Sequence, residues 1–156
     1  MLEAILKDYD LINEGGYRWK AEVGSDEVKA NLLKKFNKEI GEITDLEITE
    51  RGASGRAKRL KITGTKGTVE IGKELMIRRL LSPTHLYSSA FNIGKRNAQS
   101  TGTEASAKGK TIFEFDGHGW GHGVGLCQIG AARMAIEGYD FRTILSFYYP
   151  GSILAH

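Results

Sequence analysis

The 156-residue chain is 40% hydrophobic and 26% charged, with a formal net charge of +3. That is enough apolar content for one domain or one lobe of a larger one, and too little charge to argue for nucleic-acid binding. The single cysteine, Cys127, excludes an intramolecular disulfide, and no apolar run approaches the roughly 20 residues of a membrane span.

Residues 1–8 are too short and too acidic a stretch for a secretion signal, so any export address is expected outside this sequence. Gly15-Gly16 marks a turn, and alternating apolar residues predict a strand over residues 17–23. Ser25 is placed to cap a helix whose Val28, Leu32, Leu33 and Phe36 recur at helical spacing, with Gly41 ending the element. Ile43, Leu46 and Ile48 lead to the turn at Gly52-Ala53-Ser54-Gly55. Strands over 57–62 and 68–71 follow, separated by Gly64-Thr65-Lys66-Gly67, and the pattern is that of an antiparallel meander. A short helix is predicted over 73–81 and a strand over 86–93.

Residues 95–110 lack large apolar side chains and are rich in Ser, Thr, Gly, Ala and Lys, which predicts a flexible loop. A strand over 111–115 returns to the core. Helices are predicted over 126–137, closed by Gly138, and over 141–149, stopped by Pro150-Gly151. Strands and helices in segregated runs define an α+β class, with residues 1–156 expected to form one domain or lobe. Lys29, Lys34, Lys35 and Lys38, then Arg51, Arg56, Lys58, Arg59 and Lys61, alternate with acids as solvated faces do. The mild basic tilt also suits an anionic polymer.

The most informative stretch is Gly117-His118-Gly119-Trp120-Gly121-His122-Gly123-Val124-Gly125, in which every odd position is glycine. In an extended conformation His118, Trp120, His122 and Val124 would share one face and leave the other as bare backbone. The helix expected from Leu126 would then aim its free N–H groups toward the histidines, a seat for an oxygen-rich group. Strict alternation excludes a dinucleotide fingerprint, whose last glycine interval is odd. Two phosphate-loop look-alikes also fail. Glu74 stands where Gly67–Gly72-Lys73 would need a hydroxyl, and Glu104 stands where Gly109-Lys110-Thr111 would need its first glycine. No cofactor is expected. His118, His122 and Cys127 are ligand-type residues within ten positions, but their spacing fits no standard zinc signature and a fourth ligand is not evident. The alternative for Cys127 is a small buried residue, and for the histidines structural hydrogen bonding in a tight glycine turn.

The run from Gly117 to Ala131, followed by Met134-Ala135, Gly138, Ile144-Leu145 and Tyr148-Tyr149-Pro150-Gly151, resembles the C-terminal signature of the SpoIID/LytB family of stage II sporulation proteins and amidase enhancers. Tyr17-x-Trp19, Ser54-Gly55-Arg56, Ile77-Arg78 and Ser88-x3-Asn92 fall near family positions of similar type. The resemblance implies lytic cleavage of peptidoglycan glycan strands stripped of stem peptides, in the cell envelope. In such a reaction one carboxyl protonates the leaving oxygen while a sugar hydroxyl attacks, unlike the paired carboxylates of ordinary glycosidases. The family acid opens a helix rich in Ala, Gln and Arg. Glu3-Ala4-Ile5-Leu6-Lys7 echoes it only superficially, so the catalytic acid is unassigned and this chain is expected to supply the substrate-cleft half.

On that reading Trp120, Tyr148 and Tyr149 would stack on sugar rings, and His118, His122 and Gln128 would reach hydroxyl or acetamido groups. Arg78 would meet a lactyl carboxylate, with Ser88 nearby. Core packing for one of the two tyrosines, an ion pair for Arg78 and a structural role for Ser88 are the alternatives. Peptidoglycan glycan strands are the expected partner, with other cell-wall hydrolases as further candidates. The competing function is a non-catalytic cell-wall-binding or amidase-enhancer module.

Overall fold

The computed structural model describes residues 18–97 and 111–153. The turn at 14–16, the echo of the acid motif near Glu3 and most of the expected 95–110 loop fall outside them. The chain separates into two compact units, one over residues 15–122 and one containing residues 123–156.

Among its described residues the first unit holds six strands and two helices. β1 (Arg18–Gly24) leads directly into α1 (Ser25–Phe36). β2 (Ile43–Arg51), β3 (Ala57–Gly64) and β4 (Gly67–Gly72) form a three-stranded meander, α2 (Glu74–Leu80) follows, and β5 (Phe91–Asn97) pairs with β6 (Thr111–His118). Both sheets are antiparallel, with strand orders β1-β6-β5 and β2-β3-β4. The class is α+β, as the segregated runs predict.

One core serves both sheets and both helices. Leu46 lies opposite Ile62, and Ile48 opposite Leu60, whose other neighbour is Ile71. Against them pack Val28 and Leu32 from α1, Ile77 and Leu80 from α2, and Phe91, Phe113 and Phe115 from the other sheet. Full burial of each Leu or Phe contributes about 1.5–3 kcal/mol. The Asn31 amide donates to the Leu80 carbonyl at 3.0 Å, tying α1 to the end of α2.

Helix α1 starts one residue earlier than its sequence signal. Gly24 is the N-cap, with no side-chain cap hydrogen bond, and Ser25 is buried as the first helical residue. It also ends sooner, because Asn37 adopts the left-handed conformation (φ 53°) and its N–H reaches the Leu33 carbonyl at 3.0 Å, leaving Gly41 to a separate turn.

The expected strand over 86–93 is only half formed. Residues 86–90 send their backbone groups to four separate places. Leu86 N–H donates to Arg78, while the carbonyls of Tyr87, Ser89 and Ala90 accept from Gly121, Ala57 and His118. Pairing resumes only at Phe91.

The second unit contains α3 (Gln128–Ile136) and α4 (Phe141–Tyr148). Cys127 is the N-cap of α3, its Sγ accepting from Gly130 N–H at 3.4 Å. Asp140 caps α4 by accepting from Thr143 N–H at 2.7 Å, and this hydrogen bond holds its carboxyl below the usual range. Gly138 (φ 91°) ends α3 where the sequence places it. Among the described residues no helix is long and apolar enough to cross a membrane.

Candidate functional site

In the first unit three segments meet at the ends of β1 and β6: the β2–β3 turn, residues 86–90, and residues 118–122 that continue β6. Gly117 is the pivot. It lies on the central strand with Trp19 opposite it on β1 and Phe91 opposite it on β5. A Cβ on Gly117 would overlap the Trp19 indole, so only glycine lets that ring lie across the strand. Trp19 and Phe91 then meet edge to face, with centroids 6.1 Å apart, and the indole N–H donates to the Gly119 carbonyl at 3.2 Å.

Beyond His118 the chain does not remain extended. Gly119, Gly121, Gly123 and Gly125 all take positive φ, between 69° and 80°. Left-handed backbone costs roughly 1–2 kcal/mol at any residue with a Cβ, so alternating glycine here encodes a series of turns. The expected single face carrying His118, Trp120, His122 and Val124 is therefore not formed. Gly121 N–H donates to the Tyr87 carbonyl at 2.8 Å, holding Trp120 beside Tyr87.

The result is a graded aromatic stack. Trp120, 65% exposed, stands edge-on to Tyr87 at 5.7 Å. Tyr87 lies 6.1 Å from Trp19, which is 5% exposed, and Phe91 and Phe115 continue the series into the core. An exposed ring braced by buried ones is a rigid apolar platform whose polar edges remain wet. His118 and His122 are exposed on the same segment.

Arg78 and Ser88, expected near a ligand with an ion pair and a structural role as the alternatives, both make contacts within the fold. Arg78 is buried; its guanidinium pairs with Glu74 at 2.8 Å and donates to the Leu86 carbonyl. Fully buried Ser88 donates to the His118 carbonyl at 2.6 Å and accepts from Ala90 N–H at 3.1 Å, so it fixes the start of the glycine-rich turns. Tyr87 and Arg56 were not among the site residues expected from the sequence, although Arg56 lies in the Ser54-Gly55-Arg56 run. Arg56 is half-buried, with its Nη2 only 3.3 Å from where a Gly119 Cβ would stand.

In the second unit the Tyr149 hydroxyl accepts from Leu126 N–H at 3.1 Å and the ring is 43% exposed, as is much of Gln128. Tyr148 packs inward. Its hydroxyl occupies the space that a side chain on Gly130 would need, and burial, with a smaller effect from Cys127, raises its pKa. Cys127 is half-buried at the head of α3, not on an inner helical face. Within the described residues of either unit, no three or more His, Cys, Asp or Glu side chains gather as they would around a metal ion.

These features define an α+β domain with an exposed aromatic pair on a rim of glycine turns. The chain belongs to the family described as a domain of unknown function, DUF8618, which matches residues 1–125. It is also similar to two longer proteins. A 47-residue stretch, 30% of the chain, is 43% identical to the amidase enhancer of Bacillus subtilis (strain 168). A 121-residue stretch, 78% of the chain, is 31% identical to an uncharacterized protein of Brachyspira hyodysenteriae. The matches span 7% and 28% of those proteins respectively.

Proposed function

We propose that this chain takes part in processing peptidoglycan glycan strands in the cell envelope, as the substrate-binding part of a lytic transglycosylase-type domain. The observation that carries this reading is the Trp120–Tyr87 pair, an exposed aromatic edge braced from below by Trp19. Pyranose rings present C–H faces to such a platform while their hydroxyl and acetamido groups seek polar neighbours. His118 and His122 are the candidates for those contacts in the first unit, and Gln128 and Tyr149 in the second. The similarity to an amidase enhancer supports a cell-wall setting.

No carboxylate of this chain matches the family acid, so the chain alone is expected to bind glycan without cleaving it. Incubation with denuded peptidoglycan tests this. The chain alone should release no anhydro-sugar products, whereas a longer protein containing it should. Cleavage by the chain alone would overturn the assignment and direct attention to Glu114 or another carboxylate. The second reading, a non-catalytic binding or enhancer module, draws on the name of the 43% identical relative. It predicts retention on glycan with no cleavage by the longer protein either.

A further inference from the structure

Of the arginines described on the first unit, Arg18, Arg51, Arg59, Arg78 and Arg96 all have partners, and Arg79 is exposed. Arg51 donates to the Gly55 and Phe91 carbonyls, Arg59 to Glu50, Arg78 to Glu74, and Arg96 to Glu22 and Glu114. Arg56 differs. Its Nε is buried with no hydrogen-bond partner among the described residues, and no carboxylate there pairs with its guanidinium. The neighbouring Ser89 hydroxyl is likewise buried and unpartnered among the described residues.

We infer that Arg56 is the residue of this rim that binds the carboxylate of the glycan. The inference rests on the glycan reading above and names the residue that binds the acid group of the glycan. The backbone on either side of Arg56 is clamped. Its own carbonyl accepts from Gly52 N–H at 2.8 Å, and the next residue, Ala57, donates to the Ser89 carbonyl at 2.8 Å. Arg51 braces the same turn through Gly55 and Phe91. The guanidinium is thus held on a rigid base, partly out of water. There a charge-assisted hydrogen bond to a carboxylate gains more than at an open surface.

Gly119 completes the arrangement. A side chain there would crowd Nη2 of Arg56 at 3.3 Å, and glycine leaves the approach clear. The next residue is Trp120, so the backbone step beside the Arg56 guanidinium and the stacking ring are consecutive residues of one turn. A sugar ring on Trp120 and Tyr87 can place a ring-linked carboxylate, such as a lactyl ether, on Arg56. The carboxylate-reading role that the sequence offered to Arg78 passes to Arg56, because Glu74 already occupies Arg78.

The test compares binding of the chain to soluble denuded glycan strands with binding to the same strands after amidation of their carboxyl groups. The expected result is about tenfold tighter binding to the acidic form, with the preference abolished in Arg56→Gln and partly kept in Arg56→Lys. Equal binding of wild-type protein to both glycans, with Trp120→Ala weakening both, would overturn the role of Arg56 and leave the glycan reading standing. Binding to neither would overturn both. A preference that persists in folded Arg56→Gln would also exclude Arg56. If Arg56→Gln fails to fold, Arg56→Lys decides, since an undiminished preference for the acidic glycan in that variant would exclude the guanidinium as its source.

Discussion

Tyr87 stands edge-on to Trp120, with ring centroids 5.7 Å apart and planes at 76°, and its own carbonyl accepts the Gly121 N–H that fixes the turn beneath the indole. One residue therefore both positions and braces the exposed ring. Trp120→Ala should weaken retention on denuded glycan about tenfold, in line with the roughly 0.5–1.5 kcal/mol of an aromatic contact. Because Trp120 is largely exposed, the melting temperature should hardly move. Tyr87→Ala should weaken retention as well, through loss of the brace. Co-sedimentation with thermal melts of both variants checks the pair.

Gly117 and Gly121 should fail for different reasons. Gly117→Ala forces its methyl into Trp19, an overpacking that costs about 1–3 kcal/mol and should displace Phe91 as well. Nothing crowds Gly121, but its φ of 78° makes Gly121→Ala cost about 1–2 kcal/mol in backbone strain alone. Denaturant unfolding gives both losses. Near-ultraviolet circular dichroism should report a disturbed Trp19 only in Gly117→Ala.

Arg78→Ala should destabilise the first unit by about 3–5 kcal/mol, because it strands Glu74 and the Leu86 carbonyl. Replacing both partners, as Glu74→Gln with Arg78→Met, should cost clearly less. Ser88→Ala should cost about 1–3 kcal/mol by orphaning the Ala90 N–H. Chemical denaturation of the four proteins tests the structural assignment. A large loss of glycan retention by folded Arg78→Ala would contradict it.

The Tyr148 hydroxyl gives a pH signature. Burial raises its folded pKa above the ordinary 10.0. The unfolded chain therefore ionises first, and the stability that Tyr148 contributes is complete below pH 10 and lost as pH rises through the folded value. Tyr148→Phe removes that loss together with a buried hydroxyl that has no partner among the described residues. The difference in melting temperature between wild type and variant should grow in favour of the variant from about pH 9 to about pH 11. A constant difference would exclude the effect.

The regular parts of the fold were legible because periodicity records which face is buried. The β2–β4 meander, both C-terminal helices and the stop at Gly138 follow from that signal. The misread elements are those fixed by distant partners. Residues 86–90 look like a strand because Leu86, Ser88 and Ala90 alternate with Tyr87 and Ser89. Their carbonyls are nonetheless claimed by Gly121, Ala57 and His118, none of which a local pattern can reveal. The glycine-rich segment marked the candidate site but not its shape, since alternating glycine permits extension and left-handed turns alike. Tyr87 and Arg56 were not assigned to the site because each becomes informative only beside residues 30 or more positions away. The ion-pair alternative for Arg78 was legible, since Glu74 lies four residues upstream at helical spacing.

The most direct test exploits the chain's two tryptophans. Their indole N–H groups give two separate nitrogen–proton NMR signals, one from exposed Trp120 and one from Trp19, hydrogen-bonded to Gly119. Titration with denuded peptidoglycan oligosaccharides should shift the Trp120 signal in a saturable way, with a smaller response at Trp19. Two signals that stay fixed throughout the titration would contradict a glycan platform at this rim.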